Sequence, residues 1–355
     1  MKGMVYIMNK DQYIKWYSPS RKPFRIYGLP FFEMDGVYRR LQLNPPEPIP
    51  EVVSDLANHT AGVQLHFRGK LRKLIVKAKL HKPANFDHMT PIGQVGFDCY
   101  LKEAGGKPCF FSSTRFNHNN DSYEYELLDF PEPREFNIII NFPLYVGVHE
   151  LLLGVDEDAI LSEPDSLADN GRIVIYGTSV TQGACAARPG MAHTNILSRR
   201  LNREVINLGF SGSGKCEAEM ALAIREIERT SLLIIETDGN CPDDAWILEK
   251  YPKFIQLYRE RLPGTPILVV SRVTRPQAAI VSEQFKKLRD KADAQRKVVD
   301  ECAKKGDKNI YFRDGRDFLG DDFHECTVDI GHLTDLGFMR MANSLQPIIE
   351  EILGI

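Results

Sequence analysis

The chain has 355 residues, 43% of them hydrophobic and 26% charged, the composition of an ordinary soluble globular protein long enough for two domains. A formal net charge of -3 gives no overall attraction to nucleic acid or acidic lipid, so neither is an expected partner. Asn9, Lys10 and Asp11 interrupt any signal-peptide core, and no apolar run approaches the roughly 20 residues that cross a bilayer. We expect a cytoplasmic protein with a small or neutral ligand, unless a leader has been removed.

The seven cysteines are scattered, and no pair has the C-x-x-C spacing of a metal or redox site. We therefore predict reduced thiols and no metal. They are Cys99, Cys109, Cys185, Cys216, Cys241, Cys302 and Cys326.

Residues 1–165 have the pattern of an all-β domain. Leu71 to Leu80 alternates apolar residues with Lys73, Lys77 and Lys79, which indicates a strand with one solvated face rather than a nucleic-acid stripe. Short strands separated by turns predict a sandwich or jelly roll. The further strand candidates are Gln94 to Leu101, Cys109 to Arg115, Tyr123 to Leu128, Phe136 to Phe142 and Val146 to Gly154.

A polar stretch from Leu161 to Gly171 marks a domain boundary near residue 165, and the pattern of apolar and polar residues changes after it. Apolar runs alternate with helical segments in residues 166–355, which predicts a doubly wound α/β domain around a parallel five-stranded sheet. The runs are Ile173 to Tyr176, Val205 to Leu208, Leu232 to Ile235, Ile267 to Val270 and Ile310 to Phe312. The clearest helices are Glu217 to Glu228, Ala245 to Arg261, Ser282 to Lys305 and Asp335 to Leu353.

Ser179 stands just past the first of these runs, in I-V-I-Y-G-T-S-V-T-Q-G, where ligands bind in an open α/β sheet. Such a serine is either a nucleophile or the N-cap of the next helix, so its role depends on partners elsewhere. Three further loops reach the same edge. N-L-G-F-S-G-S-G-K-C lets amides approach a ligand, E-T-D-G-N-C places Asn240 where it can donate to an oxyanion, and D-I-G-H sets Asp329 three residues before His332.

These four blocks resemble the SGNH hydrolases, the GDSL-type esterase superfamily, in order and spacing. The resemblance implies a flavodoxin-like fold, Ser179 as nucleophile, His332 as general base and Asp329 as the carboxylate that orients it. It implies that the oxyanion donors are the amides of Ser179 and Gly212 and the side chain of Asn240. Neither a metal nor a cofactor is implied.

The resemblance extends to members with an N-terminal β domain and a G-x-D-L-Y motif, here G-F-D-C-Y with Cys99 in place of leucine. Three residues depart from the family pattern: Thr178 replaces the aspartate of G-D-S, Cys241 an aspartate, and Leu333 a proline. Relatives with an added β domain are often carbohydrate acetylesterases, so the resemblance implies hydrolysis of a short acyl ester on a sugar. Longer acyl esters stay open, because the superfamily also contains lipases and thioesterases.

Four more residues are candidates for substrate binding. Trp246, Arg272 and Arg275 follow strand ends, although an arginine there is as often an ion-pair partner. His193 lies near Ser179 in sequence and is either structural or pocket lining.

Two other classes of function stay open. Gly209 to Lys215 approximates a phosphate loop, but Cys216 stands where a hydroxyl must meet magnesium, so a nucleotide-binding protein is disfavoured. The other is a glycan-binding protein with an inert hydrolase half. The oligomeric state is not predicted.

Overall fold

The structure is a computed structural model that describes residues 14–355, so the segment used above to exclude a signal peptide lies outside the described residues. The strands of this part are β1 Ile14–Tyr17, β2 Arg25–Tyr27, β3 Gln64–Leu80, β4 Asp98–Lys102, β5 Cys109–Ser113, β6 Ser122–Asn141, β7 Val148–Asp156, β8 Ile160–Ser162, β9 Arg172–Gly177, β10 Val205–Gly209, β11 Thr230–Glu236, β12 Ile267–Val270 and β13 Ile310–Arg313.

The α-helices of the same residues are α1 Phe32–Asp35, α2 Glu51–Leu56, α3 Pro91–Val95, α4 Ser179–Gln182, α5 His193–Leu201, α6 Ala218–Ile224, α7 Asp244–Arg259, α8 Ser282–Lys304 and α9 Asp335–Leu353. None of the helices described combines the length and the apolar character that a membrane span needs.

The C-terminal half is the parallel five-stranded sheet that the sequence predicts. Its strand order is β10-β9-β11-β12-β13, which is the flavodoxin-like order with its switch point beside β9. The five predicted apolar runs all lie within these strands, and the fourth predicted helix coincides with α9. The carboxyl ends of β9, β10 and β11 therefore meet at one edge.

Side chains of β9 alternate between two apolar layers, which is why this strand is apolar throughout. Val174 and Tyr176 pack on the side of α6, α7 and α8, whereas Ile173 and Ile175 pack on the side of α5 and α9. Helices cover both faces of the sheet, as a doubly wound fold requires.

The N-terminal half is an antiparallel eight-stranded sheet built on two long strands, β3 and β6. The two strands predicted at Tyr123 to Leu128 and Phe136 to Phe142 are one strand, because the residues between them continue to pair with β3 through register shifts. The predicted strand start at Gln94 is wrong. Thr90 caps α3 there by accepting from the amide of Gly93 at 3.0 Å.

Cross-strand ion pairs occupy the lysine-rich face of β3. Nζ of Lys73 lies 2.6 Å from Glu126 and that of Lys77 lies 3.6 Å from Glu124, both on β6. The charge of this face is largely neutralised within the sheet, which agrees with the solvated strand face that the sequence predicts. All seven cysteines are free thiols, as predicted.

The G-F-D-C-Y motif joins the two halves of the chain. Asp98, which has no solvent exposure, accepts from the guanidinium of Arg188 at 2.8 Å, the amide of Gly190 at 2.7 Å and the side chain of Asn141 at 2.6 Å. The hydroxyl of Tyr100 contacts the same guanidinium at 2.7 Å. This carboxylate thus binds the loop that follows the nucleophile block to the N-terminal sheet.

Arg40 forms a second buried link between the halves. Its fully buried guanidinium donates to the carbonyls of Asn207 at 3.0 Å, Gly209 at 2.7 Å and Leu56 at 2.7 Å, and lies 4.8 Å from the ring centre of Phe210. Burial lowers the pKa of Arg40 from 12.5 to about 9. The end of β10 and the loop after it are held by a residue of the N-terminal half.

We predict that Asp98→Ala lowers the free energy of unfolding by about 3 to 5 kcal/mol, because it removes the charged partner of the half-buried Arg188 and leaves the buried amide of Gly190 without its acceptor. Chemical denaturation measures this loss. Glu103→Ala is the matched control, because its ion pair with Arg134 is largely exposed and contributes at most about 1 kcal/mol. Equal losses in the two variants would contradict the proposed role of the buried carboxylate.

Candidate active site

Ser179 is the first residue of α4 and not its cap. Thr178 is the N-cap, and its side chain accepts from the amide of Val180 at 3.3 Å, so the threonine that replaces the usual aspartate fulfils the capping role. The hydroxyl of Ser179 is consequently free to face the loop that carries His332.

Ser179, His332 and Asp329 form a continuous chain of hydrogen bonds. Nε2 of His332 lies 2.9 Å from Oγ of Ser179, and Nδ1 lies 2.8 Å from Oδ2 of Asp329. Burial raises the pKa of Asp329, but the bond from the His332 ring and those from the amides of Gly331 and His332 outweigh it and lower the pKa to about 2. An ionised Asp329 fixes the tautomer in which Nε2 can accept a proton.

The loop that carries Asp329 and His332 is anchored at both ends. Thr327 and Leu333 form an isolated antiparallel bridge, and the fully buried Leu333 packs where proline is usual. Thr334 then caps α9, and the carboxylate of Asp335 accepts from the amide of Ala187 at 2.9 Å. This last bond connects α9 directly to the loop after α4.

Two positions near the predicted oxyanion donors require glycine, for different reasons. A Cβ on Gly209 would lie 2.1 Å from the amide nitrogen of Gln182, so the close approach of β10 and α4 requires glycine there. Gly212 has open space around it but a φ of +70°, which other residues rarely adopt. Asn240 uses one N–H of its side chain to bind the carbonyl of Phe210 at 3.3 Å, which ties this amide to the same loop.

Gln182 connects α4, the helix that begins at Ser179, to its surroundings. Its Oε1 accepts from the amide of Ser211 at 3.1 Å, and its Nε2 donates to the carbonyl of Leu144 at 3.1 Å and contacts Nδ1 of His59 at 3.0 Å. Leu144 and His59 belong to the N-terminal half, so both halves hold this helix in place.

The four candidate substrate-binding residues have different locations. His193 is fully buried, with its ring stacked on Phe338 and its Nε2 3.5 Å from Glu236, so its side chain has no solvent exposure in this structure. The indole of Trp246 donates to the carbonyl of Lys215 at 3.0 Å.

Arg272 and Arg275 both lie close to the loop that carries Asp329 and His332. A Cβ added at Gly331 would lie 3.3 Å from a guanidinium nitrogen of Arg272 and 3.9 Å from one of Arg275. Of the four candidates, these two are the ones brought beside Asp329 and His332.

The burial of Cys216 argues against the phosphate-loop interpretation. Its thiol is turned inward, 3.1 Å from the hydroxyl of Thr237, and cannot face a magnesium ion in the loop. His324, the other histidine near the C-terminus, is exposed and pairs with Glu325, as expected for a surface residue.

Sequence reasoning missed His88, which comes from the N-terminal half. Its ring centre lies 5.6 Å from that of His332, and its carbonyl accepts from the thiol of Cys185 at 3.4 Å. The buried side chain of Gln94 holds this loop by binding the backbone of Phe86 and Met89. No local pattern marks His88, because its position depends on how the two halves dock.

A buried carboxylate lies under the Asn240 loop. Burial raises the pKa of Asp238 from 3.8 to about 7, although the charges of Lys291 and Arg275 oppose the shift. The amide of Arg272 donates to this carboxylate at 3.2 Å. The state of Asp238 therefore affects the loop that carries Asn240 and the one that carries Arg272.

Comparison with known proteins agrees with this architecture. Residues 170–350 match the GDSL-like Lipase/Acylhydrolase family, and residues 14–161 match the N-terminal domain of SGNH-hydrolase-type esterases that is named for the G-x-D-L-Y motif. The fold and these matches define a carboxylic ester hydrolase of SGNH type. The chain belongs to the GDSL-like lipase/acylhydrolase family.

Solved structures share both halves of the chain. A Bacteroides ovatus protein described as a GDSL-like lipase is 30% identical with a TM-score of 0.89, over 96% of this chain and 98% of that one. A salicylyl-acyltransferase of a tetracycline biosynthetic pathway is 19% identical with a TM-score of 0.73, over the same shares. A family two carbohydrate esterase from Cellvibrio japonicus is 14% identical with a TM-score of 0.63, again over 96% and 98%. No curated protein matches significantly.

We predict that stability falls as pH rises from about 4 to 7, because folded Asp238 keeps a proton that the unfolded chain has lost. Below pH 4 both states are protonated, and above pH 7 both are ionised. Asp238→Asn should remove this contribution, which is at most about 1.4 kcal/mol per pH unit. Urea denaturation at pH 4.5, 5.5 and 6.5 measures the slope for both proteins. Equal slopes would contradict a raised pKa at Asp238.

Proposed function

We propose that this chain is a serine acylhydrolase that removes a short acyl group, acetyl foremost, from a carbohydrate ester. The observation that carries the proposal is the relay of 2.9 Å and 2.8 Å from Ser179 through His332 to Asp329. A serine hydroxyl is a weak nucleophile until a neighbouring imidazole accepts its proton, and this geometry meets that requirement.

In the proposed reaction, Oγ of Ser179 attacks the ester carbonyl while Nε2 of His332 takes the hydroxyl proton. His332 then gives that proton to the leaving alcohol, which produces an acyl-enzyme. Water, deprotonated by His332, attacks the acyl-enzyme and releases the acid and free Ser179. Asp329 stays ionised throughout and stabilises the charged imidazole, in keeping with its lowered pKa.

The amides of Ser179 and Gly212 and the side chain of Asn240 would stabilise the oxyanion. The bond from Asn240 to the carbonyl of Phe210 supports this role, because it orients the amide before the reaction begins. Preorganised donors are effective since they need not reorient as charge develops.

Short acyl groups are favoured by the open surroundings of the serine. Gly212 is exposed, with no atom within 4 Å of a Cβ built on it, and Asp329 is exposed as well. Ser179 does not line the cavities of about 190, 730 and 430 Å³ that lie elsewhere in the described chain, so none of these three would receive its acyl group.

The carbohydrate part of the proposal takes support from the polar rim. Arg272, Arg275 and Asn240 offer donors to sugar hydroxyls, and family two carbohydrate esterases have the same two-domain fold. At 14% identity this similarity shows a shared fold and nothing about the substrate, so a sugar ester as substrate is our proposal. We likewise propose a boundary near residue 165 and a jelly-roll-like closure of the N-terminal sheet around the bends of β3 and β6.

We predict that the protein hydrolyses p-nitrophenyl acetate faster than the butyrate and far faster than the octanoate, since the open site offers little apolar contact to a longer chain. Ser179→Ala should abolish all three activities, with a loss of at least about 1000-fold in kcat. Ser213→Ala, a serine on the neighbouring loop, is the control and should keep most activity. Activity that rises with chain length would favour the longer-acyl alternative, and activity unaffected by Ser179→Ala would exclude this nucleophile.

We predict that Asn240→Ala lowers kcat by roughly 100- to 1000-fold with little change in KM, because the donor binds the oxyanion and not the ground-state ester. Steady-state kinetics on p-nitrophenyl acetate measure both constants. A change confined to KM would assign Asn240 to substrate binding instead.

A further inference from the structure

The catalytic histidine belongs to a second cluster that the proposed reaction does not use. His88, Cys185 and His332 each present a nitrogen or sulfur atom, and the three atoms all lie within 4.8 Å of one another. The residues come from three separate parts of the fold: a loop of the N-terminal half, the loop after α4, and the loop before α9.

Two features hold this cluster together. Cys185 has a φ of +69°, a left-handed conformation that a residue with a Cβ rarely adopts, and its thiol is directed to the carbonyl of His88 at 3.4 Å. The loop of His88 is fixed by the buried Gln94, which accepts from the amides of Asn85 and Phe86 at 2.9 Å. The backbone of Cys185 and the loop of His88 are thus held by contacts outside the cluster.

Two imidazoles and a thiolate are a ligand set for zinc. Zn²⁺ binds nitrogen at about 2.0 Å and sulfur at about 2.3 Å in a tetrahedron, which sets ligand atoms roughly 3.5 Å apart. The upper limit of 4.8 Å exceeds this spacing by about 1 Å, so binding requires a small movement of the ligand side chains, of which that of His88 is exposed. Magnesium and calcium prefer oxygen and are not suited to these donors.

We propose that Zn²⁺ binds His88, Cys185 and His332, with an open fourth position, and reversibly inhibits the enzyme. Both nitrogens of His332 are already engaged, Nδ1 by Asp329 and Nε2 by Ser179. Binding through either nitrogen therefore removes His332 from the relay. On binding, the Cys185 thiol releases its proton to solvent, and no electron is transferred.

The metal site itself does not depend on the proposed function, whereas the inhibition does. Direct binding is therefore tested with Ser179→Ala, which keeps all three ligands. Titration with Co²⁺ as a spectroscopic substitute should give one bound ion with a thiolate-to-cobalt charge-transfer absorption. The absorption should disappear in Ser179→Ala/Cys185→Ser and weaken in Ser179→Ala/His88→Asn.

Inhibition is tested with the otherwise unaltered enzyme. Micromolar Zn²⁺ should abolish hydrolysis of p-nitrophenyl acetate, EDTA should restore it, and Mg²⁺ should have no effect. His88→Asn and Cys185→Ser should each raise the Zn²⁺ concentration that halves the rate at least tenfold over that of the unaltered enzyme. The rates of each variant are normalised to its own rate without metal. Cys109→Ser and His118→Asn, which alter an exposed thiol and a histidine outside the cluster, are the matched controls.

The results distinguish failure of the metal site from failure of the proposed function. Absence of the thiolate absorption, or its persistence without Cys185, would overturn the metal site whether or not the protein is an esterase. Binding with the absorption in a protein that hydrolyses no ester would leave the site standing and count against the proposed function. Zinc inhibition that is unchanged in His88→Asn and Cys185→Ser would place the inhibitory ion elsewhere and overturn the proposal.

Discussion

Asp98 accepts three hydrogen bonds in complete isolation from solvent, and the two halves of the chain meet around it. A buried carboxylate is tolerated only where every partner is in place, so this contact admits one relative position of the halves. The loop that it binds, at Arg188 and Gly190, leads from α4 to α5. The geometry at Ser179 therefore depends on both halves of the chain, although the catalytic candidates lie in one of them.

The separate contributions of the two halves explain which parts of the site face solvent. The hydrolase half supplies Ser179, Asn240 and His332 on loops at the carboxyl ends of strands, where a parallel sheet leaves backbone amides unpaired. The N-terminal half covers one flank with the loop of His88 and supports the helix of Gln182 from beneath. The edge that results is open, with Gly212 and Asp329 exposed.

The sequence predicts the hydrolase half well because its strands are buried on both faces. Runs such as Ile173 to Tyr176 are apolar throughout, and each loop after them carries a residue with distinctive chemistry. The N-terminal sheet is predicted less well, since β6 is largely exposed along its middle and pairs at long range with β3. Proximity in sequence brings His193 near Ser179 but does not predict on which side of the sheet its side chain packs. His88 could not be found, because docking of the two halves has no local signal.

Arg40 has a consequence for the order of events during synthesis. The guanidinium that binds the carbonyls of Asn207 and Gly209 comes from a segment that leaves the ribosome well before β10 does. Domains generally fold in the order in which they emerge, so we expect the N-terminal half to be formed before β10 is synthesised. Arg40 would then be in place to bind the end of β10 and the loop of Phe210 as they fold.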